Sequence, residues 1–196
     1  MAYERKTNYT RQQLQESLLA RIEEKPFEKI TVNDIVTPIH LNRSTFYRYY
    51  DDKYQLIDEI ERNLIKELNE RNFQPWEMFD PYNSLDQVRA FVTESLALYQ
   101  ERTQLLHALL GPNGDHSFEE RLANEFKRNF RQRFPDTTPE LRLIQEMMLA
   151  MSMQAFRYQL FHPTEITPDQ MIELILGMIH DGPIGYLATH YPDKKR

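Results

Sequence analysis

The chain has 196 residues, 40% hydrophobic and 28% charged, the balance of a globular protein rather than a disordered one. It has no cysteine, which excludes a disulfide framework and thiolate metal or redox chemistry. The formal net charge is −6, so any attraction to nucleic acid has to come from a local patch. Residues 1–53 carry nine Lys/Arg against eight Asp/Glu, which leaves the acidic excess to the rest of the chain. No apolar run approaches the ~18–20 residues that a membrane span needs. The opening Met-Ala-Tyr-Glu-Arg-Lys has no apolar stretch behind its charges, so a cytoplasmic location without a signal peptide is expected.

The elements read as helices throughout, and strict alternation persists nowhere. Thr10 with Gln13 has capping-box spacing and predicts the start of a first helix, with Leu14, Leu18 and Ile22 inward and Pro26 at its end. Thr31 with Asp34 predicts a short second helix through Ile35 and Val36, limited by Pro38. Asn42 predicts the cap of a third, and Asp51 that of a fourth carrying Ile57, Ile60, Leu64 and Leu68 on one face. Pro75 and Pro81 flank Trp76 in a connecting loop.

Ser84 with Gln87 opens a fifth helix, with Leu85, Val88, Val92, Leu96 and Tyr99 inward. A short helix over about 102–110 ends at Gly111-Pro112. Ser117 with Glu120 starts another, with Phe118, Leu122, Phe126, Phe130 and Phe134 at i+4 and Pro135 stopping it. Two long helices follow, entered at Thr138-Pro139 and Thr167-Pro168, and Gly182-Pro183 interrupts the last. The expected fold is all-α, with about nine helices.

The stretches Lys29-Ile-Thr-Val-Asn-Asp-Ile-Val36 and Ser44-Thr-Phe-Tyr-Arg-Tyr-Tyr50, followed by Lys53, carry the strongest signal. Caps, a tight break and a short aromatic, basic and hydroxyl-rich helix suit a helix-turn-helix whose second helix enters the major groove. Residues 10–57 resemble the DNA-binding domain of the TetR family of one-component regulators. The resemblance implies a three-helix DNA-binding domain over 1–53 and a larger helical ligand-binding and dimerisation domain over 54–196.

It also implies roles for particular residues. Asn42, Arg43, Ser44 and Thr45 lie on the first turn of the recognition helix, the end that meets base edges. Arg43 suits guanine O6/N7, a contact worth ~1–3 kcal/mol of discrimination. Tyr47 and Lys53 are expected on phosphates, Arg48 near the backbone, and Thr31 and Asn33 on backbone or a neighbouring base. The chain departs from the family pattern at His40, where glycine is usual, at Pro38, and at Asn33, where a basic residue is common. Asp51 and Asp52 lie near the expected phosphate path.

In the second half, Phe91, Tyr99, His107, Phe126, Met147, Met151 and Phe156 are candidates to line an effector cavity, with methionine giving adaptable walls. Ile144, Met148, Ala155, Ile172, Ile175 and Ile179 are candidates for a twofold dimer interface through a four-helix bundle. Lys127, Arg128, Arg131 and Arg133 interleave with Phe130 and read as a solvated face. No two histidines stand at i+3 or i+4, so no helical metal site and no cofactor are expected. Nucleophile elbow, phosphate loop and paired metal ligands are all missing, so an enzyme is not expected.

The expected function is a homodimeric, sequence-specific repressor, bound to a double-stranded, near-palindromic operator and released by an unknown small molecule. Its rival is a coactivator of the same fold that works through a protein partner and has no effector pocket.

Overall fold

A computed structural model describes residues 2–71, 84–133 and 138–190. Pro75, Trp76, Pro81, Phe134 and Pro135 lie outside the described residues. Every regular element among those described is helical. The order is α1 (Ala2–Glu24), a 3-10 turn (Phe27–Lys29), α2 (Val32–Val36), α3 (Arg43–Phe46), α4 (Lys53–Glu70), α5 (Leu85–Glu101), α6 (Thr103–Leu110), α7 (Phe118–Arg133), α8 (Pro139–Phe161) and α9 (Pro168–His190). Two compact units result, Met1–Phe73 with Thr103–Glu125, and Gln74–Arg102 with Phe126–Arg196.

In the first unit α1 packs on α2, α4 and α6, and α2 on α3. Leu14, Leu18 and Ile22 of α1 are buried, as are Phe27, Ile30, Ile35, Val36, Phe46 and Tyr50. Each large side chain so buried is worth ~1.5–3 kcal/mol, which is how helices as short as α2 and α3 persist. Ser17 Oγ donates to the Ile35 carbonyl at 2.6 Å and ties α1 to α2. Leu41, just before α3, is only half-buried.

The α1 boundary corrects the expectation at Thr10, which lies inside the helix and is buried. No glycine or proline interrupts residues 2–9, so nothing stops the helix from extending backwards past a residue with cap-like spacing. At α4 the cap is Asp52 and not Asp51: the Asp52 carboxylate accepts from the Gln55 amide at 2.8 Å. The Asp51 amide is held instead by the Gln55 side chain.

The second unit joins α5 to α9 and α8 to α9. Its entries follow the expected chemistry. Ser84 and Gln87 form a reciprocal capping box, Thr138 caps α8 with Pro139 in its first turn, and Thr167 exchanges bonds with Gln170. Arg89 of α5 pairs with Glu173 of α9 at 2.7 Å, and Lys127 with Glu146 of α8 at 2.7 Å. Gly182 adopts φ 70°, which breaks α9 internally ahead of Pro183. Leu85, expected inward, is exposed, because it opens α5 one residue after the cap.

Candidate nucleic-acid interface

The capping box Thr31–Asp34 fixes the entry to α2. The Thr31 hydroxyl accepts from the Asp34 amide, and the Thr31 amide donates to Asp34 Oδ2 at 2.7 Å. Lys25 adds an ion pair to the same oxygen at 2.8 Å. Hydrogen bonds from Lys25 and then Thr31 hold the Asp34 carboxyl down at about 2. The Thr31 side chain is therefore engaged in the cap, while Asn33 beside it stays exposed.

The turn from α2 to α3 passes through His40 at φ 53°, in the left-handed region where glycine is the easy residue. The Leu41 amide then closes back onto the Val36 carbonyl at 3.0 Å.

Asn42 caps α3 through one oxygen. Its Oδ1 accepts from the Thr45 amide at 2.8 Å, the Ser44 hydroxyl at 2.6 Å and the Thr45 hydroxyl at 2.9 Å. Phe46 faces the core, edge-on to Tyr47 and tilted against Tyr50. With Phe46 inward, Arg43, Ser44, Tyr47 and Arg48 are left exposed together on the outer face. The Arg43 guanidinium donates to the Tyr47 hydroxyl at 3.1 Å and lies over the same ring. Arg48 donates to the Thr45 hydroxyl at 3.3 Å.

Two expected contacts are corrected. Thr45 is buried, its hydroxyl taken up by Asn42 and Arg48, so it shapes the turn and does not face outward. Lys53 is only 9% exposed. Its Nζ donates to the carbonyls of Phe27 at 2.6 Å, Glu28 at 2.8 Å and Ile30 at 2.8 Å. An ammonium has three protons, so these bonds use its full donor capacity. The reason is local: the carbonyls ending the 3-10 turn need donors, and the four-carbon stem of Lys53 reaches them. Burial pulls this ammonium below the ordinary lysine range, with Glu28 and Asp34 acting the other way.

Support behind this surface comes from side chains that sequence reasoning did not single out. Glu59 of α4 accepts from Arg11 at 3.3 Å, Gln15 at 3.0 Å and the Tyr50 hydroxyl at 3.2 Å. Burial pushes the Tyr50 hydroxyl up to about 12. Glu61 of α4 is 1% exposed and pairs with Arg121, which also holds Asp115 at 3.0 Å. Glu61 stands four residues after Ile57 and three before Leu64, a register that places it on the buried face of α4.

Residues 19–60 match the family of bacterial regulatory proteins known as the tetR family. That stretch holds α2, α3 and the start of α4, so the helix-turn-helix is similar to the DNA-binding segment of that family. The chain is also similar to the uncharacterized HTH-type transcriptional regulator YxbF of Bacillus subtilis (strain 168), 24% identical over 106 residues. That stretch spans 54% of this chain and 28% of the relative. No helix among the described residues is long and apolar enough to cross a membrane.

The other expected sites fall as follows. Phe126 and Phe156 are buried and Phe91 is half-buried in the second unit, where Tyr99 stacks on Phe156 with centroids 4.7 Å apart. Desolvation raises the Tyr99 hydroxyl above the usual tyrosine range. His107 belongs to the first unit, on α6. Met147, at 64% exposure, and Met151 lie on the outside of α8. Of the expected interface set, Ile144 is exposed, while Met148, Ala155 and Ile179 are half-buried. Ile172 and Ile175 are buried within the single chain, where α9 packs on α5, and so present nothing to a partner.

Proposed function

We propose that this regulator is a homodimeric repressor that holds a near-palindromic operator and leaves it when a small molecule binds the second unit. The observation that carries the DNA-reading part is the group of exposed donors on one short, capped helix: Arg43, Ser44, Tyr47 and Arg48. Arg43 reads a base edge, Tyr47 and Arg48 meet phosphate, and Asn42 and Thr45 set the geometry of the turn.

The exposed face of α8 supports pairing with a second copy. Leu143, Ile144, Met147, Met151 and Tyr158 are all exposed. At 100° per residue they fall within an arc of about 100°, with Met148 and Ala155 along its edge. Gln154 and Glu140 fall in the same arc, and so many exposed apolar side chains on one helix face are unusual on a lone surface. Two identical chains related by a twofold axis then present two recognition helices to two half-sites. A repressor of this type works in the bacterial cytoplasm and carries out no reaction of its own.

The test is anisotropy binding to the DNA upstream of its own gene and to duplexes selected from random sequence, with Arg43→Ala alongside. Competitor-resistant binding that is lost in the variant supports the reading. Weak binding that is indifferent to the substitution overturns it in favour of a partner-dependent coactivator.

A further inference from the structure

We infer that Lys53 is a positioning residue for DNA binding: it locks the start of α4 to the turn that feeds α2, and it contacts no phosphate itself. The inference rests on the DNA-binding reading above.

The turn Phe27–Ile30 is gripped from two directions. On one side the Lys53 ammonium collects the carbonyls of Phe27, Glu28 and Ile30. On the other, the Phe27 amide donates to the Asn113 carbonyl at 2.8 Å, in the connection between α6 and α7. That connection is itself tight. A Cβ at Gly114 would lie 2.5 Å from the carbonyl oxygens of Ala108 and Leu109. The ring of Phe27 meets Tyr54 edge-on at 5.4 Å, and the Lys53 ammonium sits 4.8 Å and 5.2 Å from the two ring centres. The chain leaves this turn directly into the Thr31 cap of α2. The ammonium of Lys53 is thus a direct link between the start of α4 and the turn that feeds the helix-turn-helix, beside the Phe27–Tyr54 ring contact and the Tyr50–Glu59 hydrogen bond.

The geometry is specific to an ammonium. A planar guanidinium is larger and forks in one plane, so it does not reproduce three bonds to carbonyls of one tight turn. The charge of Lys53 is thus separable from its role, which makes the inference testable.

The experiment uses the 196-residue chain as Lys53→Met and Lys53→Arg, with Arg48→Ala as a reference for an exposed cation. The probe is a duplex that the wild-type chain selects from random-sequence DNA. Affinity is read against salt at a temperature where circular dichroism shows each variant folded. Positioning predicts that both Lys53 variants lose roughly tenfold in affinity, the scale of a change inside a coupled network. The salt slope then stays at the wild-type value.

A phosphate contact predicts the opposite: Lys53→Arg binds as wild type, and Lys53→Met loses about 0.9 from the slope. Wild-type affinity in both folded variants also overturns the inference, because Lys53 is then a local stabiliser alone. If Lys53→Met does not fold, Lys53→Arg decides. If selection recovers no duplex, the DNA reading has failed separately. Amide hydrogen exchange over residues 27–37 of the free protein then decides for Lys53: faster exchange in the variants supports the grip, and unchanged exchange removes it.

Discussion

The Arg43 guanidinium donates to the Tyr47 hydroxyl at 3.1 Å, one helical turn on, with its carbon 5.7 Å from the ring centre. Tyr47 is 48% exposed and braced edge-on by the buried Phe46. In the free protein the group proposed to read bases is held by the group proposed to hold phosphate. On the proposed reading, docking on DNA exchanges this internal bond for two external ones.

Arg43→Ala is expected to weaken the selected operator by ~1–3 kcal/mol and to relax preference at one base position. Random DNA should lose much less. Competition anisotropy on operator and mismatched duplexes checks this, and equal losses on both would remove the base-reading role.

Tyr47→Phe keeps the ring over which Arg43 lies and deletes only the hydroxyl. All sequences should weaken alike, because phosphate contacts carry no sequence information. A changed base preference in a selection repeated with the variant would contradict the assignment.

Thr31→Ala removes the cap of α2 and should cost about 1 kcal/mol in urea denaturation. The same cap sets an acid limit. Asp34 has its carboxyl lowered from 3.8 to about 2. A depressed carboxyl contributes stability above its unfolded value, and that contribution is lost as pH falls from about 4 towards about 2. Wild-type and Asp34→Asn stabilities should therefore converge over that window, and parallel curves would contradict the cap's role.

Glu61 acts with the opposite sign. Burial outweighs Arg121 and raises its carboxyl from 4.5 to about 7. A raised folded value favours the protonated, folded form, so stability is highest below the unfolded value and is lost as pH rises through about 7. Glu61→Gln should flatten stability between about pH 5 and about pH 8, with a wild-type loss of at most about 3 kcal/mol over that range. Denaturation midpoints at both ends of the range measure the difference.

Met147→Lys places a charge in the centre of the exposed α8 stripe and should give folded monomers by light scattering. Ile175→Lys serves as the contrast: its site is buried in the chain, so unfolding should accompany any dissociation. An unchanged particle mass for folded Met147→Lys would move the interface off this face.

Much of the fold was legible because its signals are local. The caps Thr31, Asn42, Ser84, Thr138 and Thr167 work within three residues of themselves, and the i+4 rows of α1, α4 and α7 need only the helical period. The outward Arg43, Ser44 and Tyr47 were expected from the family resemblance, which also put Thr45 outward, where it is buried. What escaped depends on distant chain. Lys53 meets carbonyls 23 to 26 residues away, and no local pattern marks a lysine as buried. The register of α4 places Glu61 inward, but its partner Arg121 is 60 residues on and no local pattern points to it. The outer and inner faces of α8 and α9 are both apolar, so period alone did not separate Met147, which is outside, from Ile172 and Ile175, which are inside.

His40 holds the helix-turn-helix bend in a conformation that a side chain resists by on the order of 1–2 kcal/mol. Glycine there would relieve that resistance while adding freedom to the unfolded chain, a net gain of up to about 1 kcal/mol. For a chain of this size that corresponds to a melting temperature higher by ~2–4 °C. The bend is thus a place where the domain can gain heat tolerance by one substitution that leaves every exposed donor of α3 in place.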